Sequence, residues 1–298
     1  MAAAAAQQLR AHGWCLLRPT PGECQAIDEA IEAAAAFFAQ STTLKASTRR
    51  AAAGAGAAAG ASAAAPDRQR VATGGVGFLA GPTREWFHLA ADDATLAAMR
   101  WPSAALRRAS LRLLGILRQA CAGMLHQLTD SEAAAQRLAA LAAETERCGD
   151  PSVLDLFFYR NDSTSDGENM SSHSDPGLLT ITPCSAVPGL EVQDAATGEW
   201  VDAETAEISG VSGKDGDHAL LVFAGDSLEE LGLRCTATAH RVRRADEPRL
   251  SLVYEMRSWE CQPDEEPAAV GHPGLGLNPE RSSEGTGEGP APKRARAE

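Results

Sequence analysis

Hydrophobic residues follow two different periods along this chain. In the first half they recur three or four positions apart, as in Leu114, Leu117 and Cys121, which is the spacing of one helix face. From Val153 onwards, short apolar runs alternate with glycine, proline, asparagine and aspartate, a pattern typical of strands joined by tight turns. The pattern predicts a mainly β protein with flanking helices, whose N-terminal region is helical.

The strand prediction depends on apolar runs of four to eight residues. The first run, Trp14–Leu17, precedes a helix whose start is indicated by Thr20 and Pro21. Runs of this length between turn residues favour a β-sandwich or barrel. The later runs are Val153–Tyr159, Leu178–Ile181, Gly189–Gln193, Ala219–Phe223, Thr236–Arg243 and Leu250–Met256.

Composition divides the chain into five segments. The second is rich in alanine and glycine and is predicted to be a flexible insertion, because few of its side chains can be buried. The third is predicted to be helical and to pack on the core, and the fourth to be the β domain. The fifth is rich in proline, glycine and glutamate and is predicted to be disordered. In order, the segments are residues 1–45, 46–75, 76–149, 150–258 and 259–298.

Net charge limits the partners of the protein. Its 27 lysines and arginines against 40 aspartates and glutamates give a formal charge of −13. A chain this acidic repels phosphate backbones, so nucleic acid is not expected as a partner. No apolar run reaches the roughly 18–20 residues that span a bilayer, and the N-terminus lacks the pattern of a secretory signal, so no membrane association is expected. Nothing in the sequence fixes the oligomeric state.

Cysteine usage bears on the compartment. The seven cysteines are odd in number, lie far apart and form no Cys-x-x-Cys pair, which argues against a disulfide framework and for a reducing compartment. We therefore expect a cytoplasmic protein. The C-terminal Lys293–Arg296 resembles a short nuclear-import signal, which leaves the nucleus open as a second location.

Candidate chemistry lies in the β region. His173 and Asp175 are two residues apart, so on a strand they point to the same side, and His240 belongs to a later strand. Two imidazoles and one carboxylate occupy one face of an octahedron in the non-haem Fe(II) oxygenases. Zinc is the rival metal, because the same ligand set also makes catalytic zinc sites.

Five fragments of the chain resemble a known family in their order and approximate spacing. The family is that of the 2-oxoglutarate/Fe(II)-dependent dioxygenases of the plant type, which are isopenicillin N synthase-like. The resemblance extends loosely back to about residue 10. The fragments are His173–Ile181, Pro188–Val192, Phe223–Glu229, Ala239–Val242 and Arg249–Tyr254.

The resemblance implies a double-stranded β-helix, or jelly roll, in which the catalytic triad of two histidines and one aspartate binds Fe(II). It implies that Arg249 binds the distal carboxylate of 2-oxoglutarate with help from the Ser251 hydroxyl, and a guanidinium does offer a planar fork for a carboxylate. Tyr159 stands where these enzymes place a tyrosine that binds the co-substrate. Phe157 departs from the family, which commonly has asparagine at that position.

The activity implied is oxidation, by default hydroxylation, of a small organic substrate with consumption of 2-oxoglutarate and O2 and release of succinate and CO2. Two alternatives stay open. One is an iron oxidase of the same fold that does not consume 2-oxoglutarate, because such relatives can retain the Arg-x-Ser pair. The other is a catalytically idle binding protein. The sequence does not identify the substrate.

Overall fold

The computed structural model describes residues 2–49, 76–162, 167–208, 211–212 and 218–258. The Ala/Gly-rich segment beyond residue 49, predicted to be a flexible insertion, and the tail from residue 259, predicted to be disordered, lie outside the described residues. The helices are α1 (Ala2–His12), α2 (Pro21–Phe38), α3 (Thr42–Ala46), α4 (Asp93–Ala98), α5 (Ala104–Leu128), α6 (Glu132–Cys148) and α7 (Asp226–Glu230). The strands are β1 (Trp14–Leu17), β2 (Gly77–Ala80), β3 (Arg84–Ala90), β4 (Val153–Tyr159), β5 (Glu168–His173), β6 (Leu179–Pro183), β7 (Leu190–Gln193), β8 (Trp200–Asp202), β9 (Glu207–Ile208), β10 (Val211–Ser212), β11 (Leu220–Ala224), β12 (His240–Arg243) and β13 (Arg249–Met256).

Two antiparallel sheets form the body of the β domain, and β9 and β10 pair in a separate two-stranded ribbon. The large sheet has the strand order β1-β11-β6-β13-β4-β3-β2, and the small sheet has the order β5-β12-β7-β8. The chain passes repeatedly from one sheet to the other, with β4, β6, β11 and β13 in the large sheet and β5, β7 and β12 in the small one. This winding confirms the predicted fold class, a mainly β protein with a jelly-roll core and flanking helices.

Side-chain alternation gives the large sheet two different faces. One face packs against the helices in the main hydrophobic core, which contains Leu154, Ile181 and Leu252. The other face turns towards the small sheet and contributes Trp14 and Tyr159 to a second, smaller cluster. We call the space lined by this second face the barrel interior.

The apolar stripe predicted from the first half of the chain lies on α5. Its residues are buried against the core, including Leu113, Leu117 and Cys121. Helix α2 begins where the sequence indicated, because Thr20 and Glu23 form a reciprocal capping box and Pro21 occupies the first turn. Helices α2 and α5 pack on each other over the outer face of the large sheet.

The prediction that residues 76–149 are helical is wrong for their first part. Residues 77–80 and 84–90 are the strands β2 and β3, and β3 pairs with β4 along its whole length. Within β3 the buried and the partly exposed residues alternate, so that Phe87 and Leu89 enter the main core while Trp86 and His88 face the other way. That period of two belongs to a strand, and the helices begin only at α4. No described helix combines the length and hydropathy needed to cross a bilayer.

Candidate metal centre

Three potential metal ligands converge at one end of the small sheet. His173 ends β5 and His240 begins β12, and the two residues face each other across the paired strands. Asp175 lies two residues beyond β5, in the loop that leads to β6, so its position depends on this loop and not on strand alternation. Among the described residues, this is the group of at least three histidine, cysteine or acidic side chains able to hold a metal ion, with ligand atoms within 4.8 Å of one another.

Hydrogen bonds orient all three side chains. The His173 Nδ1 atom lies 2.8 Å from the Ser171 carbonyl oxygen, and His240 Nδ1 lies 3.3 Å from the Thr238 carbonyl oxygen. A carbonyl oxygen only accepts, so these contacts assign the proton to Nδ1 and leave the Nε2 lone pair of each ring free. Both Nε2 atoms lie 3.6 Å from the same oxygen, Asp175 Oδ1.

Thr180 holds the other oxygen of the aspartate. Its hydroxyl donates to Asp175 Oδ2 over 2.5 Å, which leaves Oδ1 turned towards the two imidazoles. Contacts of this kind fix the direction in which a ligating carboxylate points. Thr180 was not among the predicted site residues, although a threonine between Leu179 and Ile181 is a polar residue inside an apolar strand.

The loop that carries Asp175 is held by the start of α7. The Asp226 amide donates to the Asp175 carbonyl oxygen over 2.8 Å, and the Ser227 amide donates to the Gly177 carbonyl oxygen over 3.1 Å. Gly225 allows this close approach, because a Cβ atom there would clash with the Gly177 carbonyl oxygen. The fragment Phe223–Glu229 resembles the dioxygenase family in sequence, and in the structure it holds the loop that carries Asp175.

Burial differs between the two histidines. His240 is 5% exposed and lies against the Phe223 ring, whose centroid is 4.6 Å from that of the imidazole. The His173 side chain is 38% exposed, so the site opens to solvent on its side. Burial lowers the pKa of His240, and the nearby His173 adds to this while Asp175 opposes it. The neutral imidazole, which is the ligating form, is therefore favoured.

The donor set fits a divalent transition metal. Two imidazole nitrogens and one carboxylate oxygen are the ligands of non-haem Fe(II) oxygenases and also of some zinc enzymes. With metal–ligand bonds of about 2.1 Å, two ligand atoms of one ion lie at most about 4.2 Å apart. The separation of 3.6 Å between each Nε2 and Asp175 Oδ1 is within this limit.

The residues assigned to the co-substrate lie together on the barrel interior. Arg249 and Ser251 alternate onto the same face of β13, and Tyr159 stands directly opposite Arg249 on β4. Tyr159 is 2% exposed, its ring stacks on Phe157 with centroids 5.9 Å apart, and burial raises the pKa of its hydroxyl. Tyr159 is thus a neutral phenol, able to donate a hydrogen bond to an anion.

Arg249 already has a carboxylate partner inside the protein. Its Nη1 and Nη2 atoms donate to Glu204 Oε2 and Oε1 over 2.6 and 2.8 Å, and both side chains are 1% exposed. Arg249 also donates to the Val187 carbonyl oxygen, whereas its buried Nε atom has no hydrogen-bond partner. Glu204 was not among the predicted site residues, because no local pattern relates it to a residue 45 positions away along the chain.

Glu204 is held from a second side. Its Oε1 accepts a hydrogen bond from the Ser185 amide over 2.8 Å, and its Oε2 accepts one from the Leu190 amide over 3.1 Å. The carboxylate therefore joins the connection between β6 and β7 to strand β13. The Arg249 guanidinium, which was predicted to bind the co-substrate, is bound to this internal carboxylate instead. Its role in binding 2-oxoglutarate therefore stays a prediction.

Comparison with known proteins adds the fold relatives of the chain. No family model and no curated protein matches it. Among solved structures, dioxygenase for auxin oxidation 1 from Arabidopsis thaliana, in a binary complex with 2-oxoglutarate, is 16% identical with a TM-score of 0.61, and the match covers 87% of this chain and 89% of that one. The dioxygenase for auxin oxidation from rice is 19% identical with a TM-score of 0.58, covering 86% and 77%. A Neurospora crassa protein, in complex with α-KG and 5-formyluracil, is 17% identical with a TM-score of 0.56, covering 86% and 78%.

These matches extend over most of the described chain. At such low identity they show that the chain has the fold of these oxygenases. The predicted jelly roll is therefore supported both by the strand order and by independent solved structures.

Proposed function

We propose that the protein is a non-haem Fe(II) and 2-oxoglutarate-dependent oxygenase that oxidises a small organic molecule. One observation carries this proposal: His173, Asp175 and His240 present two free Nε2 atoms and one free carboxylate oxygen to a common point. The cluster lies in a fold shared with proteins whose structures contain 2-oxoglutarate, or α-KG. An idle binding protein has no physical need for three convergent, individually oriented ligands.

The proposal gives each of the chain's residues a task. His173, Asp175 and His240 hold the metal, and Thr180 keeps Asp175 Oδ1 turned towards it. When bound, Fe(II) with 2-oxoglutarate and O2 supplies oxidative decarboxylation to succinate and CO2, coupled to oxidation of a substrate C–H bond, with hydroxylation as the default outcome. The hydroxyl groups of Ser251 and Tyr159 bind and orient the co-substrate from the barrel interior.

The experiment separates the metal site from turnover. Fe(II) and 2-oxoglutarate are added to the protein without dioxygen, and the visible metal-to-ligand charge-transfer band is recorded. Dioxygen is then admitted and succinate is measured. We expect a band and succinate in the wild type, neither in His173→Ala, and both in His126→Ala, because His126 is an exposed residue of α5. A band of unchanged intensity in His173→Ala contradicts the proposal.

A second candidate function is favoured by the Arg249–Glu204 ion pair. Because Arg249 already holds a carboxylate, an iron oxidase that does not consume 2-oxoglutarate is the alternative that fits this contact. For such an enzyme, Fe(II) binds and depends on His173, but 2-oxoglutarate adds no band and no succinate forms.

The compartment is part of the same proposal. We place the protein in the cytoplasm, which the thiol state of its cysteines supports, since none of the six described cysteines is paired. Fractionation of cells that express the full chain, with and without Lys293–Arg296, tests this placement against the nucleus.

A further inference from the structure

Arginines on the barrel interior differ in the pairing of their guanidinium groups. Arg249 is bound to Glu204, as described above. Arg257, next to the end of β13, donates to Glu255 Oε2 over 2.5 Å. Arg84, on β3, contacts no carboxylate within the part of the chain that the structure describes, and its recorded contacts are with two aromatic rings. Of these three arginines, Arg84 is therefore the one whose positive charge is not neutralised by a described carboxylate.

Two aromatic rings hold the Arg84 guanidinium. Its central carbon lies 5.5 Å from the Trp86 ring centroid and 5.4 Å from the Phe157 ring centroid. The two rings also contact each other, with centroids 6.5 Å apart. A contact between a guanidinium and aromatic rings uses none of the N–H donors for a carboxylate, so they stay available for hydrogen bonds. All three side chains are partly exposed, so these donors are accessible to a ligand.

Strand register places Arg84 beside the residues assigned to the co-substrate. Arg84 is opposite Tyr159, and Tyr159 is opposite Arg249, so the three residues form one row across β3, β4 and β13. We call it the arginine row. Neighbouring strands are about 4.8 Å apart, so the backbones of the two arginines are separated by about 10 Å. Arg84 also lies close enough to act on the Tyr159 hydroxyl, whose pKa it lowers against the larger effect of burial.

Charge decides which residue of the row attracts an anion. The Arg249–Glu204 pair has no net charge, and its two carboxylate oxygens repel a second carboxylate. Arg249 still has an unpartnered Nε atom, and Tyr159 offers its hydroxyl. The row thus contains neutral donors near Arg249 and a full positive charge at Arg84.

We propose that Arg84 is the residue that binds the carboxylate of a small molecule inside the barrel, held by Trp86 and Phe157 and positioned across Tyr159 from a neutralised Arg249. The proposal rests on the proposed function for the presence of a small ligand in this interior. The carboxylate has two sources that share this chemistry, the distal end of the co-substrate or an acidic primary substrate. In the second case the rings of Trp86 and Phe157 favour a planar acid.

The test compares each acid with a molecule of similar shape that lacks one carboxylate. Isothermal titration calorimetry of the full chain, without dioxygen and both with and without Fe(II), uses three pairs of probes. The pairs are 2-oxoglutarate with 2-oxopentanoate, benzoate with benzamide, and phenylacetate with phenylacetamide. The variants are Arg84→Gln, Arg84→Lys and the control Arg112→Gln, whose arginine is an exposed residue of α5 paired with Glu29.

In at least one pair, we expect the wild type and Arg112→Gln to prefer the probe with the additional carboxylate, which is 2-oxoglutarate, benzoate or phenylacetate. This preference is called the acid preference. Arg84→Gln should lose that preference, with a fall in acid affinity of about 10- to 100-fold, and Arg84→Lys should recover part of it. Loss with 2-oxoglutarate identifies the co-substrate as the source, and loss with the aromatic acids identifies the primary substrate. An acid preference unchanged in Arg84→Gln overturns the proposal, and so does the absence of any acid preference in the wild type.

Failure of the proposed function has a different signature. In that case Fe(II) does not bind, or does not change the affinity for 2-oxoglutarate, whatever residue stands at position 84. The acid and amide titrations without Fe(II) then still report on Arg84 alone.

Discussion

Replacement of Arg249 by methionine tests the buried ion pair that distinguishes this interior. Methionine keeps much of the side-chain length but removes the charge and the hydrogen bonds to Glu204. The Glu204 side chain, 1% exposed, would then keep two backbone amides as partners and lose its counter-charge. Removal of one partner of a buried pair costs about 3–5 kcal/mol, a large part of the roughly 5–15 kcal/mol that stabilises an average domain.

Urea unfolding followed by circular dichroism measures this loss. With a slope of about 2–3 kcal/mol per molar urea, a loss of that size lowers the unfolding midpoint by about 1–2.5 M. The double variant Arg249→Met/Glu204→Gln should recover a large part of the loss, because it leaves no buried charge without a partner. Arg112→Met is the matched control: its pair with Glu29 is 44% exposed on both sides, so its effect should be at most about 1 kcal/mol.

Two results would refute the reasoning. If Arg249→Met shifts the midpoint no more than Arg112→Met, the Arg249–Glu204 contact is not a buried ion pair in solution. If the double variant is as unstable as Arg249→Met, the loss comes from packing and not from an unpaired Glu204 carboxylate.

Three further predictions concern the metal centre and the helices. Thr180→Val should weaken metal binding about 10- to 100-fold without a change in fold, because Asp175 loses its orienting hydrogen bond; competition with a chromophoric chelator measures it. Gly225→Ala should lower both metal affinity and the melting temperature, since its Cβ atom would lie 2.8 Å from the Asp175 carbonyl oxygen, whereas Gly115→Ala, with open space around it in α5, should raise stability by about 1 kcal/mol. Thr20→Ala removes the capping box of α2 and should cost about 1–2 kcal/mol in the same urea assay, with unchanged metal binding as its internal control.

Local patterns were sufficient for much of the fold. The apolar spacing on α5 identified a buried helix face, and Thr20 with Pro21 identified the start of α2, because both signals lie within a few turns of the chain. The apolar runs also identified β4 and β13 to within one residue. Strand β5 was not predicted, since its sequence Glu168–His173 is polar and largely exposed and so has no apolar run.

Strand β3 illustrates the limit of such patterns. Its residues Arg84–Ala90 alternate in burial but not in polarity, because Trp86 and Phe87 are both apolar, and the prediction extended the helical region over them. Only its pairing with β4, more than sixty positions later, supplies the hydrogen bonds that make it a strand. This pairing brings Arg84 and Trp86 into the barrel interior, on which the proposal for Arg84 depends.

The sequence by itself determined the chemical nature of the candidate site. His173, Asp175 and His240 were selected from residue type and spacing, and these three side chains do meet in the structure. Tertiary structure alone decided which groups orient and neutralise the functional side chains. Thr180, on β6, donates a hydrogen bond to Asp175, whose loop is held by α7. Glu204, which follows β8, binds Arg249 on β13. The physical reason is that electrostatic partners are set by distance and burial in space, and neither quantity can be calculated from separation along the chain.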